Sequence, residues 1–448
     1  PGLGKTIITG MLMKELSVRG RADRVLVVVP APLQDQWRRE MREHFDEEFW
    51  VYDSGTIRSV MSNLPPDKNP WEYKNKVITS LDYVKRLEVI PALERVDWDL
   101  VVFDEAHKLK VYKYGDKIDK KERFKLAEIL NEHTDGLLLL TATPHSGDRY
   151  PFFALVNLLD PYLFPSKENV NSKDLKKVMI RRLKEDVSNF DGSRLFPKRE
   201  VKTISVDYTQ EEMALYGGVT DYVREWYNLA KEEKKRAIGF AMVILQKRMV
   251  SSIYAITKSL KNRRSKLEKI LQGKEEFESL TKEEEASIKI YNEDPDSLAD
   301  KEREAIEKKV ELLTDDERSP EEINLEIEKL EKIISTASSI KKDSKAEKLI
   351  EFVERVLKKD PKEKILIFTE YKDTLDHLLK IFSKYESAVI HGGMNMSERI
   401  FQEKKFRDPK TNLMVATDAA GEGLNLQFAH LMINYELPWN PNRMQQRM

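Results

Sequence analysis

The sequence predicts an α/β protein with two parallel-sheet units and a charged helical stretch inside the second. Short runs that are apolar throughout, each followed by an amphipathic segment, recur near the start of the chain and again near its end. Strands without polar alternation are buried on both faces, as in a parallel sheet covered by helices on either side. From about Gln210 to Ala346 such runs stop, and the pattern turns charged and helical.

Taken in order, Ile7, Ile8, Met11, Leu12 and Leu16 recur at helical spacing after Lys5-Thr6. Val25–Val29 predicts a buried strand by its length and β-branching. Gln34–Phe45 predicts a helix, and Val77–Thr79, Leu100–Phe103 and Leu137–Leu140 predict further buried strands. The same grammar returns in Ile365–Phe368, Ala388–Ile390, Leu413–Thr417 and Leu431–Asn434. In the stretch between, Ile323, Ile327, Leu330, Ile334 and Ala337 follow the heptad spacing of a helix with one buried seam. Lys258, Lys261, Arg263, Arg264 and Lys266 form a basic cluster there, and Glu275–Glu285 is acidic. Such charge runs are read as solvated faces of helical hairpins, with phosphate contact by the basic cluster as the alternative. The expected domains are residues 1–195 and 196–448, with the insertion at about 210–345.

Composition narrows the function classes. A chain of 448 residues with 40% hydrophobic content can build two or three cored domains. Its 35% charged content, above the usual quarter or so, fits long solvated helices. With a net charge of -1, any surface for a polyanion must be local. Cysteine is absent, which excludes disulfides and cysteine-based zinc sites and fits a cytoplasmic setting. The seven histidines show no metal-ligand spacing, and the apolar runs are too short to span a membrane.

Three motifs carry chemistry. The chain opens Pro1-Gly2-Leu3-Gly4-Lys5-Thr6, already inside a phosphate-binding loop, so the strand that presents the loop is expected upstream. Gly2 and Gly4, with Leu3 between them, let the backbone turn its N–H groups onto phosphates. Lys5 would reach the β- and γ-phosphates of ATP, and Thr6 would coordinate Mg²⁺. The buried strand Leu100–Phe103 runs into Asp104-Glu105-Ala106-His107. This puts two carboxylates at the carboxyl edge of the sheet, where the loop also lies. Asp104 would hold Mg²⁺ and Glu105 would polarise the attacking water, as phosphoryl transfer to water requires. Thr141-Ala142-Thr143-Pro144 follows the next strand, placing small hydroxyls beside the carboxylates. Trp37, Trp98 and Trp439 are read as core or interface packing, since no basic residues interleave with them.

Together these motifs resemble those of the superfamily 2 helicase-like ATPases, and more finely their SWI/SNF-type branch. Pro30-Ala31-Pro32-Leu33 with Gln36-Trp37, Thr79–Tyr83, and Arg181-Arg182 with Lys184 and Val187 are similar to segments of that branch. So are His391–Met394, Ala416–Gln427, Asn434–Pro441 and Gln446-Arg447. Within the branch the chain most resembles the prokaryotic members related to RapA, the ATPase that associates with RNA polymerase.

The resemblance implies two RecA-like lobes of the P-loop NTPase fold that clamp ATP and walk along a nucleic-acid backbone. It places Gly423 and Arg447 with the nucleotide. His107, Thr141, Thr143 and Gln446 become coupling residues. Pro30, Thr79, Ser80, His391, Gly392, Thr417, Gly421 and, by its motif, Trp439 become nucleic-acid contacts. The implied activity is ATP-dependent translocation on double-stranded DNA that remodels protein–DNA complexes, with RNA polymerase or another DNA-bound protein as partner. A strand-separating DNA or RNA helicase is the first alternative, and a nucleic-acid-binding scaffold with an inactive ATP site the second. Two departures stand out. Glu436 occupies a position where the family has Asp. The chain also ends at Arg447-Met448, before the further arginines that supply the family's arginine fingers, so both ends are expected to cut through motifs.

Overall fold

The structure is a computed structural model. It describes residues 4–65, 67–114, 117–142, 149–182, most of 186–229, 235–274, 300–312, 318–421 and 428–438, with isolated positions including Arg447. The chain forms two compact units that divide between Val201 and Lys202, Arg447 belonging to the second.

The first unit runs α1 (Lys5–Val18), β1 (Val25–Val29), α2 (Gln34–Phe45), β2 (Trp50–Tyr52), α3 (Ser54–Ser62), β3 (Lys76–Ser80), α4 (Leu81–Val84), α5 (Ile90–Leu93) and β4 (Leu100–Phe103). It continues with β5 (Val111–Tyr114), β6 (Lys117–Lys120), α6 (Glu122–Glu132), β7 (Leu137–Leu139), α7 (Arg149–Leu159) and α8 (Ser172–Val178). The sheet order is β2-β3-β1-β4-β7, parallel at every pairing. Central β1 is buried along its whole length and feeds both faces. Val25, Val27 and Val29 join Met13, Trp37 and Met41 on one side, while Leu26 and Val28 join Trp71, Phe103 and Leu126 on the other.

Two features depart from the sequence expectation. The apolar spacing of α1 pointed to Ile8 and Met11 as core positions, yet these are 60% and 62% exposed, and Thr9, Gly10 and Met13 are buried instead. The cause is close approach of α2: a Cβ at Gly10 would overlap the Phe45 ring. In addition, β5 and β6 form an antiparallel hairpin directly after the acidic motif, where no strand was expected.

Ahead of the sheet, the described residues of the second unit include a bundle of helices: α9 (Gln210–Leu229), α10 (Lys235–Ser251), α11 (Ile253–Leu271), α12 (Asp300–Glu311) and α13 (Pro320–Ser339). They share one core, into which Ile323, Leu330, Ile334 and Ala337 of the heptad seam are buried and Ile327 packs. The basic cluster is a solvated face only in part: Lys258 and Lys261 are exposed, but the rest turns inward. Arg263 and Lys266 are buried, Lys258 pairs with Asp373 at 2.5 Å, and Arg264 pairs with Glu268 at 3.2 Å.

The sheet follows, with α14 (Ser344–Lys359), β8 (Ile365–Phe368), α15 (Lys372–Ile381), β9 (Ser387–Ile390), α16 (Met396–Arg407), β10 (Leu413–Ala416) and β11 (Leu431–Asn434). Its order is β11-β8-β10-β9, again parallel throughout. The helices are bound to this sheet by buried polar contacts. Ser251 Oγ donates to Glu436 Oε1 at 2.7 Å and lies 2.7 Å from Thr374 Oγ1. Arg248 reaches Asp373 at 3.0 Å, and the Lys345 ammonium donates to the carbonyls of Val250 and Ser251 at 2.8 and 2.9 Å.

Candidate nucleotide site

Parallel topology sets the site. In the first unit every sheet strand delivers its carboxyl end to the same edge, and the chain turns there into the motif residues. Gly4 precedes α1 in the left-handed region, φ 72°, which glycine adopts without cost. Lys5 and Thr6 are then the first residues of α1, where unpaired backbone N–H groups and the helix dipole favour an anion. At the end of β4, Asp104 N–H donates to the Val28 carbonyl at 2.9 Å and Ala106 N–H to the Leu140 carbonyl at 2.8 Å. The acidic motif is thus held between β1 and the chain leaving β7. Glu105, between these anchors, is itself left-handed, φ 51°. For a residue with a Cβ this costs roughly 1–2 kcal/mol, and it turns the Glu105 side chain back over the edge.

The side chains converge. Lys5 Nζ donates to Glu105 Oε1 at 3.0 Å and stands 3.6 Å from Asp104 Oδ1. Asp104 is buried; its Oδ1 accepts the Glu105 N–H at 2.8 Å and its Oδ2 accepts the indole N–H of Trp37 at 2.9 Å. His107 Nδ1 lies 3.2 Å from Glu105 Oε2 and 3.1 Å from Thr141 Oγ1, bridging the acidic motif and the strand end after β7.

The electrostatics follow from burial against charge. Burial alone would lower the Lys5 ammonium; Glu105 and then Asp104 outweigh it and raise the pKa above its ordinary value. Burial raises the Asp104 carboxyl, and the lysine only partly offsets it. Burial also opposes ionisation of Glu105, but His107 and Lys5 hold it far below the usual carboxylate range. One ammonium is thus shared between two carboxylates, its closer contact being to Glu105.

Lys5, Asp104, Glu105, His107 and Thr141 are brought together; Gly2, Leu3, Thr143, Gly423, Trp439 and Gln446 lie outside the described residues. Several expected nucleic-acid contacts are not surface groups. Pro30 is buried. The buried Thr79 hydroxyl donates to the Tyr52 carbonyl at 2.8 Å, and Ser80 Oγ caps α4 through the Tyr83 N–H at 3.2 Å. In the second unit Thr417 is buried at the end of β10. His391 and Gly392 are half-buried, with His391 Nδ1 accepting the Gly393 N–H at 3.1 Å. Gly421 ends a 3-10 turn that begins at Asp418. Arg447, expected beside the nucleotide, is turned into its own unit. Its Nε donates to Asp418 Oδ1 at 2.7 Å and its Nη1 to Asn434 Oδ1 at 2.8 Å, with the guanidinium over Phe368.

Trp37 is the site residue that sequence reasoning took for packing alone. It is in the core, 1% exposed, but its N–H belongs to Asp104. The available signal was its place one turn into the helix that follows β1, whose carboxyl end neighbours that of β4.

The SNF2-related domain family matches residues 1–286, well over half the chain. The chain belongs to this family. The helicase conserved C-terminal domain family matches residues 344–448. With both domains present, the protein is a SWI/SNF-type, nucleic-acid-dependent ATPase. Among curated relatives, an uncharacterized ATP-dependent helicase of Bacillus subtilis strain 168, YqhH, is 29% identical over all of this chain and 67% of its own length. The RNA polymerase-associated protein RapA of Yersinia enterocolitica is 38% identical over 39% of this chain, a match that spans only 18% of RapA. Solved structures are more distant. The Sulfolobus solfataricus SWI2/SNF2 ATPase core in complex with double-stranded DNA is 18% identical, covering all of this chain and 78% of that one, with a TM-score of 0.37. The Pyrococcus furiosus Hef helicase domain is 15% identical, covering 97% and 91%, with a TM-score of 0.43. No helix among the described residues is long and apolar enough to cross a membrane.

Proposed function

We propose that this SNF2-family ATPase is a translocase on double-stranded DNA that displaces or remodels bound proteins, cleaving ATP to ADP and phosphate. The observation that carries the reading is the Lys5–Glu105–Asp104 cluster at the carboxyl edge of a parallel sheet. Its charges suit a trade. The triphosphate docks on Gly4, Lys5 and the first turn of α1, and the Lys5 ammonium exchanges Glu105 for phosphate oxygens. Glu105, so released, orients and polarises the attacking water. Asp104 and Thr6 are hard oxygen donors, and the burial of Asp104 favours a neighbouring cation, so they fit Mg²⁺. When bound, the ion supplies charge neutralisation on the phosphates. His107 passes the state of Glu105 to Thr141.

The domain reading is 1–195 and 196–448, the helical insertion belonging to the second. Duplex contacts come from the half-exposed His391–Gly392 loop and the turn ending at Gly421, and from backbone rather than hydroxyls at Thr79 and Ser80. Such contacts go to phosphates and leave sequence unread. RNA polymerase or another DNA-bound protein in the cytoplasm is the proposed partner. Preference for translocation over strand separation rests on Gln36-Trp37, Arg181-Arg182 and Trp439-Asn440-Pro441.

Lys5→Ala and Glu105→Gln should each reduce DNA-stimulated turnover by roughly 10²–10³-fold, the loss typical of a preorganised charge at a reacting centre. Turnover in Lys5→Ala close to that of the wild type would sink this assignment. Displacement of a third DNA strand without duplex unwinding is the expected result; efficient unwinding instead would favour a helicase. No hydrolysis by the wild-type protein as its gene encodes it would favour the inactive scaffold.

A further inference from the structure

We propose that Trp37 is a positioning residue for the metal-holding carboxylate: its indole N–H fixes the plane of Asp104 so that the free lone pairs face the cation. The inference rests on the Asp104 role proposed above. Trp37 is fully buried on α2, 67 positions from Asp104 in sequence, and donates to Oδ2 at 2.9 Å. The other oxygen, Oδ1, accepts the Glu105 N–H at 2.8 Å. An Asp carboxylate rotates in a broad, two-fold well. Two donors set in rigid frames, one on each oxygen, remove that freedom.

The choice of donor has a chemical sense. An indole N–H carries no charge, so it orients the carboxylate without neutralising it, whereas a lysine or arginine in its place would compete with the cation. Packing alone does not demand the bond. Trp98 is equally buried in the same unit, 1% exposed, and its indole N–H has no partner. Outer groups that orient a metal ligand in this way typically matter about 10–100-fold in affinity or activity.

The test uses the protein as its gene encodes it, with Mn²⁺ as the probe. Trp37→Phe keeps the aromatic bulk and removes the N–H. Binding of Mn²⁺ in the presence of ADP, followed by electron paramagnetic resonance, should weaken about 10-fold, while ADP affinity in metal-free buffer stays unchanged. Trp98→Phe is the packing control, and its Mn²⁺ binding should match wild type. Unchanged Mn²⁺ affinity in Trp37→Phe overturns the proposal, whatever its turnover. Equal weakening in Trp98→Phe overturns it too, since general loosening of the unit would then suffice. Neither outcome touches the nucleotide-site reading, which stands or falls with Lys5→Ala.

Discussion

A single methylene decides how Glu436 works. Its Oε1 accepts three hydrogen bonds, from Ser251 Oγ at 2.7 Å, Thr369 Oγ1 at 2.8 Å and the Glu370 N–H at 2.9 Å. Two of these donors lie at the end of β8 and one on the last turn of α10, so the side chain ties the helical insertion to the sheet. The shorter Asp expected at this position would hold the strand end but not reach Ser251. Glu436→Asp should therefore lower stability by about 1–3 kcal/mol, the cost of losing the partner of one buried hydroxyl donor. Urea unfolding followed by Trp226 fluorescence checks it, since Trp226 is in the insertion core. An unchanged midpoint would show that Glu436 does not carry the joint.

Among the elements, the strongest prediction belongs to the helical bundle. Arg263 on α11 is wholly buried. Its Nε donates to Glu326 Oε1 at 2.7 Å and to Tyr222 OH at 2.6 Å, and its guanidinium lies 3.6 Å from the centre of the Trp226 ring. Burial pushes the Glu326 carboxyl upward, but Arg263 and Arg318 outweigh it and hold the pKa at about 2. A carboxyl depressed by folding adds stability above its unfolded pKa, and that stability drains away as pH falls through the folded value. The contribution is therefore complete above about pH 4.5 and vanishes toward pH 2, and it amounts to about 3 kcal/mol. Glu326→Gln should flatten the stability profile across that window and destabilise the bundle at neutral pH; a wild-type-like acid transition would refute the assignment.

The sequence made some elements plain and hid others for the same physical reason. Apolar runs report burial, so β1, β3, β4, β8 and β10 could be read from residues such as Val25–Val29 and Leu413–Ala416. Trp50–Tyr52 is too short to show a period, and the lysines of β5 and β6 imitate a solvated loop. At the site, the Lys5, Asp104 and Glu105 set follows from local motifs. The Trp37–Asp104 bond, the inward turn of Arg447 and the burial of Arg263 depend on partners distant in sequence, to which local periodicity is blind.

At the scale of the whole sequence, the net charge of -1 constrains how the proposed duplex would be held. A chain near neutrality has no long-range field for a polyanion, so duplex affinity must come from a few local phosphate contacts. Each phosphate neutralised by a cationic group releases counterions, giving a slope of about -0.9 per contact in log affinity against log salt. Contacts through uncharged groups, such as the one proposed at the His391–Gly392 loop, would add affinity with less salt dependence. Burial and the Lys372 charge depress the His391 pKa, so that ring is neutral at pH 7. The logarithm of the duplex concentration giving half-maximal ATPase stimulation should accordingly rise with log salt along a line shallower than about 0.9 times the number of phosphates protected in footprinting. Basal hydrolysis, which needs no DNA, should vary far less over the same range. A slope equal to the full footprint count would mean that every contact is cationic, and would move the duplex site away from the loop at His391 and onto lysine- and arginine-rich surface.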